Sequence, residues 1–197
     1  MELFNAGMIF YQLDIALNIW LLGLLWRGDR RPYFLAYTTF RLITSLVRFP
    51  VLVVGGMDMY SQAYWLTSGM LIFASIWLLC DFFPKLTVLL GLTAVVLSFR
   101  QLLHPSVALE RGVEIAIFVA ALYILLRDPK NMVAAGLAIA TLLPALGETQ
   151  GALLDGNLVR FVPSFAFLLA QTVWIFAVLR PRDSKHFSNG YLQPHIH

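Results

Sequence analysis

Charge is scarce in this sequence. Asp, Glu, Lys and Arg together make up 13% of its 197 residues, against roughly 25% in a globular domain of ordinary composition. The chain is also 59% hydrophobic. A short chain cannot hide that much apolar surface in a water-soluble fold, because small domains leave a large share of their surface exposed. A water-soluble enzyme, a disordered chain and a nucleic-acid binder are thereby excluded. Cysteine is almost missing. The single Cys80 lies deep in an apolar run, so neither an intrachain disulfide nor a cysteine metal cluster can form. It reads as a small buried hydrophobe.

Histidine is equally sparse. His104 falls in a turn, and His186, His195 and His197 fall in the polar tail, so no pair is placed to hold a haem between helices. Lys85, Lys130 and Lys185 all lie outside the apolar runs, which leaves no lysine for a retinal Schiff base. No Gly-x-Ser-x-Gly, His-Glu-x-x-His or glycine-rich phosphate loop is present. No cofactor and no metal is expected.

What the sequence does have is long apolar runs, each close to the 20 or so residues that a helix needs to cross a bilayer. They extend from about Gly7 to Trp26, Tyr33 to Val54, Tyr64 to Phe83, Leu86 to Leu102, Val107 to Leu126, Met132 to Gly147, and Phe161 to Leu179. Their breaks carry Pro, Gly and charge: Arg27-Gly-Asp-Arg-Arg-Pro32, Gly55-Gly56, Pro84-Lys85, His104-Pro105 and Arg127-Asp-Pro-Lys-Asn131. The runs are continuous and lack period-two alternation, which favours helices over a β-barrel. The expected fold is all-α: a polytopic bundle of seven transmembrane helices over residues 1–182. A polar, disordered tail is expected from Asp183 to His197. The first run is not read as a signal peptide, because no basic segment precedes it.

Basic residues set the orientation. Arg27, Arg30, Arg31, Lys85, Arg127, Lys130, Arg180, Arg182 and Lys185 flank one set of run ends, while only Arg100, Arg111 and Arg160 flank the other. Nine against three places the first set in the cytoplasm, with the N-terminus outside and the C-terminus inside a plasma (inner) membrane. The first three runs do not match the last three in polar positions, so no transporter-like inverted repeat is read.

Several stretches resemble a group of short uncharacterised seven-span integral membrane proteins of bacteria. They are Arg31-Pro-Tyr-Phe-Leu-Ala-Tyr37, Tyr60 with Tyr64-Trp65, Arg100-Gln-Leu-Leu-His-Pro105 and the segment from Glu110 to Glu114. The resemblance implies the same seven-helix topology. It implies no activity, cofactor or catalytic residue.

Ionisable residues inside a span cost about 2.5–3.5 kcal/mol each on insertion scales and so face a partner or a polar cavity. Asp14 and Asn18 share a face of the first run, and Thr38, Arg41, Ser45 and Arg48 form a stripe along the second. Equal depth suggests an Asp14–Arg48 pair. Asp81 is expected to meet Lys85, four residues on. Arg100, Glu110, Glu114, Glu148 and Arg160 gather at the outer ends of the remaining runs.

Two readings of these charges compete. In one, Asp14, Arg48, Arg100, Glu114, Glu148 and Arg160 line a single outward-facing pocket, with Arg41 and Ser45 as a secondary stripe. In the other, they are separate ion bridges that fasten helices together. Ser68-Gly69 and Ala134-Ala135-Gly136 read as close helix packing. Trp20, Trp26, Trp65, Trp174, Tyr33, Tyr60 and Tyr64 read mostly as an interfacial belt.

The leading function is a small-ligand or lipid-binding, sensor-like membrane protein without catalysis, or an accessory subunit of a membrane assembly. Its partners would be membrane lipids and another membrane or cytoplasmic protein. The alternatives are a small transporter or channel using the intramembrane Asp, Glu and Arg, and an intramembrane enzyme using Glu114 or Glu148 as acid or base.

Overall fold

A computed structural model of the chain describes residues 2–28, 31–149 and 162–179. Among the described residues there are seven long helices and no strand. They are α1 (Glu2–Gly28), α2 (Pro32–Val54), α3 (Gly56–Leu78), α4 (Thr87–Leu103), α5 (Val107–Arg127), α6 (Met132–Thr149) and α7 (Val162–Leu179). Two 3-10 turns, Leu79–Asp81 and Pro84–Leu86, join α3 to α4. The expected tail from Asp183 lies outside the described residues.

The helix boundaries follow local chemistry. Pro32 occupies the first turn of α2, where its missing N–H costs nothing. Asp81 Oδ2 accepts a hydrogen bond from Phe34 N at 3.0 Å. It satisfies one of the orphan donors at the start of α2 and places a negative charge at the positive end of the helix dipole. Among the described residues the ion pair with Lys85 expected from their four-residue spacing is not formed. The regular helix ends at Leu78, before both residues, and the 3-10 turn at Leu79–Asp81 turns the carboxylate across to α2. Ser106 Oγ accepts from Leu109 N to cap α5, and Asn131 Oδ1 accepts from Ala134 N to cap α6.

Two helices start earlier than the hydropathy implied, α1 at Glu2 and α3 at Gly56. A single residue, Gly55, separates α2 from α3, and its N–H returns to Val51 O at 2.8 Å. A Cβ there would stand 2.9 Å from both Met59 Cβ and Val51 O, so this tight connection requires glycine.

Six of the helices form a ring. α1 packs on α2 and α7, α2 on α3, α5 on α6 and α6 on α7, and a sparser α3–α5 contact closes the circle. α4 stands outside it, against α3. The half of the ring where α1 ends is filled with apolar side chains. Leu21, Leu25, Phe34, Leu78, Leu137 and Trp174 are each at most 1% exposed. Trp174 meets Phe34 and Tyr37 edge-on, at centroid distances of 5.5 and 5.7 Å, and its Nε1 donates to Val133 O at 3.0 Å. Trp174 thus belongs to the core and not to an interfacial belt, whereas Trp20 and Trp26 are exposed.

The close packing expected around Gly136 is present, since a Cβ on that residue would lie 2.2 Å from Trp174 Nε1. Large apolar side chains, among them Trp26, Val54, Val88 and Leu126, cover the outside of the bundle. Three helical stretches, Met8–Arg27, Asp58–Asp81 and Pro84–Leu103, are long and apolar enough to cross a membrane.

Candidate functional site

The other half of the ring is not filled. A cavity of about 410 Å³ lies there, within the 300–1,000 Å³ typical of small-molecule sites. Six helices line it: α1 through Tyr11 and Asp14, α2 through Arg41 and Arg48, α3 through Tyr60 to Ser75, α5 through Glu110 to Ile117, α6 through Ala140 and Thr141, and α7 through Phe167. Three of its lining residues are acidic (Asp14, Glu110, Glu114) and three are basic (Arg41, Arg48, Arg111). Its lining charges therefore cancel.

On one wall, Asp14 ties α1 to α2 and α7. Its Oδ1 lies 3.3 Å from Arg41 Nη2 and accepts from Gln171 Nε2 at 2.7 Å, while Oδ2 accepts from Ser45 Oγ. These extra donors are what a buried ion pair needs, because Coulomb attraction alone does not offset the loss of hydration. The Arg41 guanidinium also stacks on Phe167, with its carbon 3.4 Å from the ring centroid, a cation–π contact in a desolvated setting. Arg41 Nε and Gln171 Oε1 are buried without a hydrogen-bond partner. Asn18, on the same face as Asp14, bonds to the Asp14 backbone oxygen at 2.9 Å and not to its carboxylate.

Arg48 does not pair with Asp14. It lies two turns further along α2 and is held by α3: Nε donates to Thr67 Oγ1 at 2.7 Å, Nη2 donates to Tyr64 O at 3.2 Å, and the guanidinium sits 4.4 Å above the Tyr64 ring. Thr67 can accept because its own hydroxyl proton is directed back to Ala63 O. The same Tyr64 reaches α5 through its hydroxyl, which donates to Glu110 at 3.2–3.3 Å, and Ser68 Oγ donates to Glu110 Oε1 at 2.8 Å. This polar link spans the sparse α3–α5 seam. Tyr11 and Tyr60 share a hydrogen bond of 2.6 Å between their hydroxyls, joining α1 to α3.

The cavity thus brings together Asp14, Arg48 and Glu114 from the expected pocket set, with Arg41 and Ser45 from the secondary stripe. Arg100 is not among them. It is exposed near the end of α4, which the ring excludes. Glu148 belongs to the last turn of α6, but its side chain, like the whole of Arg160, lies outside the described residues. Tyr64, Ser68, Thr67, Glu110 and Gln171 were not in the expected set. Spacing hinted only at Glu110, one turn before Glu114. Among the described residues no group of three or more His, Cys, Asp or Glu is placed to hold a metal ion. No family model, no curated protein and no solved structure matches the chain.

Proposed function

We propose that this chain is a multi-pass protein of the plasma (inner) membrane that binds a small polar molecule, or the head of a lipid, in the cavity between its helices. In this reading all seven helices span the bilayer, α1 begins outside, and the cavity occupies the outer half. Even the short helices suffice: the 18 residues of α7 extend about 27 Å at 1.5 Å per residue, close to the thickness of a hydrocarbon core. The apolar exterior and the nine-to-three distribution of basic residues support the same arrangement.

One observation carries the binding reading, namely that the charged side chains surround a space. Ion bridges serving only to fasten helices gain most when the helices close upon them and exclude water. Here six charged residues on α1, α2 and α5 stand around about 410 Å³ in surroundings where each charge is expensive. The apolar filling around Leu21, Leu25, Phe34 and Trp174 supports a pocket with one mouth over a transport path, which would need polar footing through both halves.

Native mass spectrometry of the protein released from lipid nanodiscs tests this reading. The wild type should carry a small molecule or a lipid that Leu71→Trp, which fills the cavity from α3, does not. Equal occupancy of the two proteins would count against the cavity as the binding site.

A further inference from the structure

Two opposite charges in the cavity face each other without meeting. Arg48 takes up Thr67 Oγ1 and Tyr64 O, and no carboxylate among the described residues pairs with it. Glu110 accepts the hydroxyls of Tyr64 and Ser68, and no cation among the described residues reaches it. Tyr64 separates them, with its ring face beneath the guanidinium and its hydroxyl on the carboxylate. The two charges therefore cannot relieve each other directly, although both line the same space.

A guanidinium is a planar fork that matches the paired oxygens of a phosphate or carboxylate. A carboxylate holding two hydroxyl donors retains lone pairs for a third. A bare anion would satisfy Arg48 alone, and a bare cation Glu110 alone. The balanced lining charge likewise favours a guest of mixed charge. We infer that the cavity takes a zwitterion, its phosphate or carboxylate on Arg48 and its primary ammonium on Glu110, with the Tyr64 ring setting the spacing between them. This rests on the reading of the cavity as a ligand site. Such a group can come from a free amino acid-like solute or from the head of an ethanolamine lipid. A volume of about 410 Å³ accommodates a polar head but not two acyl chains, so a lipid would leave its tails outside the ring.

The test uses the full chain in phosphatidylglycerol nanodiscs, with the thermal midpoint read from tryptophan fluorescence. Phosphoethanolamine and β-alanine present one ammonium beside a phosphate or a carboxylate; inorganic phosphate and ethanolamine present the halves separately. At least one zwitterion should raise the midpoint where neither half does, and Arg48→Gln and Glu110→Gln should each weaken that response by at least about tenfold. Phosphocholine should be weaker than phosphoethanolamine, because its quaternary ammonium donates no hydrogen bond to Glu110. If Arg48→Gln does not fold, Arg48→Lys keeps the charge, loses the fork and should still bind more weakly.

A second arm distinguishes the source. If the ligand is a lipid head, phosphatidylethanolamine added to the nanodiscs stays bound in native mass spectra of the wild type and not of the variants, and the soluble zwitterions give no shift. Retention of that lipid then stands in place of the midpoint response. Phosphate alone acting as strongly as phosphoethanolamine, with Glu110→Gln indifferent, would overturn the zwitterion and leave the cavity reading intact. No response to any probe and no retained lipid would overturn the zwitterion, and the cavity reading would then be decided by the occupancy of wild type against Leu71→Trp.

Discussion

Asp14 on α1 and Arg41 on α2 meet at 3.3 Å, with Ser45 and Gln171 on the same carboxylate. Depth decides this partnership. Asp14 lies twelve residues after the start of α1 at Glu2, and Arg41 lies thirteen before the end of α2 at Val54, whereas Arg48 lies only six before it. A helix taken to begin at Gly7 places Asp14 five residues too shallow, about 7.5 Å at 1.5 Å per residue. That error is enough to make Arg48 look like its partner.

Coupling between Asp14 and Arg41 follows directly. Asp14→Asn or Arg41→Gln alone should cost about 3–5 kcal/mol, since each leaves a buried charge without its partner. The double variant should cost much less than the sum. In a double-mutant cycle read by reversible unfolding in mixed micelles, Asp14 and Arg48 should couple by under about 0.5 kcal/mol. Strong Asp14–Arg48 coupling with none to Arg41 would reverse the assignment.

Much of the helix inventory was legible because apolar runs bounded by Pro, Gly and charge leave few alternatives. The starts were not: Met57-Asp-Met-Tyr-Ser-Gln-Ala63 is too polar to read as part of a span, yet α3 begins at Gly56. Nor was the exclusion of α4 from the ring, because no local pattern says which neighbours a uniformly apolar helix will choose. Arg100 was misplaced for that reason. Tyr64 and Ser68 read as belt and packing residues, because a hydroxyl gains its role only from the carboxylate that another helix brings to it. The α2 stripe was legible as a periodicity, and its two arginines then divided between two different partners.

Gly136 should tolerate no side chain. Its Cβ would stand 2.2 Å from Trp174 Nε1, so Gly136→Ala should displace the indole, break its bond to Val133 O and cost about 1–3 kcal/mol. Adding Trp174→Leu, which removes the ring that crowds the new methyl, should make the two losses less than additive in the same unfolding assay. A neutral Gly136→Ala would show that α6 and α7 pack less closely there.

Asp81 should matter where Lys85 does not. Asp81→Asn removes a charge from the start of α2 and should cost about 0.3–2 kcal/mol, depending on how dry that helix end is. Lys85→Ala should stay within about 0.5 kcal/mol. Equal losses from both would favour the local ion pair over the cap on α2.

Topology has its own check. Cys80 is the sole native cysteine and is buried, so single cysteines can be introduced against a quiet background. Asn5→Cys should react with an impermeant maleimide added outside the cell, and Ser184→Cys only after the membrane is opened. Reaction of both from one face would require an even number of spans.

Ser75 lines the deep part of the cavity on α3, whereas Ser98 on α4 is buried outside the ring. A small charged methanethiosulfonate, applied to each face of oriented vesicles carrying Ser75→Cys or Ser98→Cys, tests the pocket most directly. A one-mouthed polar cavity predicts that Ser75→Cys reacts from the face where α1 begins and not from the other, and that Ser98→Cys reacts from neither. Reaction of Ser75→Cys from the opposite face, or from no face, would contradict it.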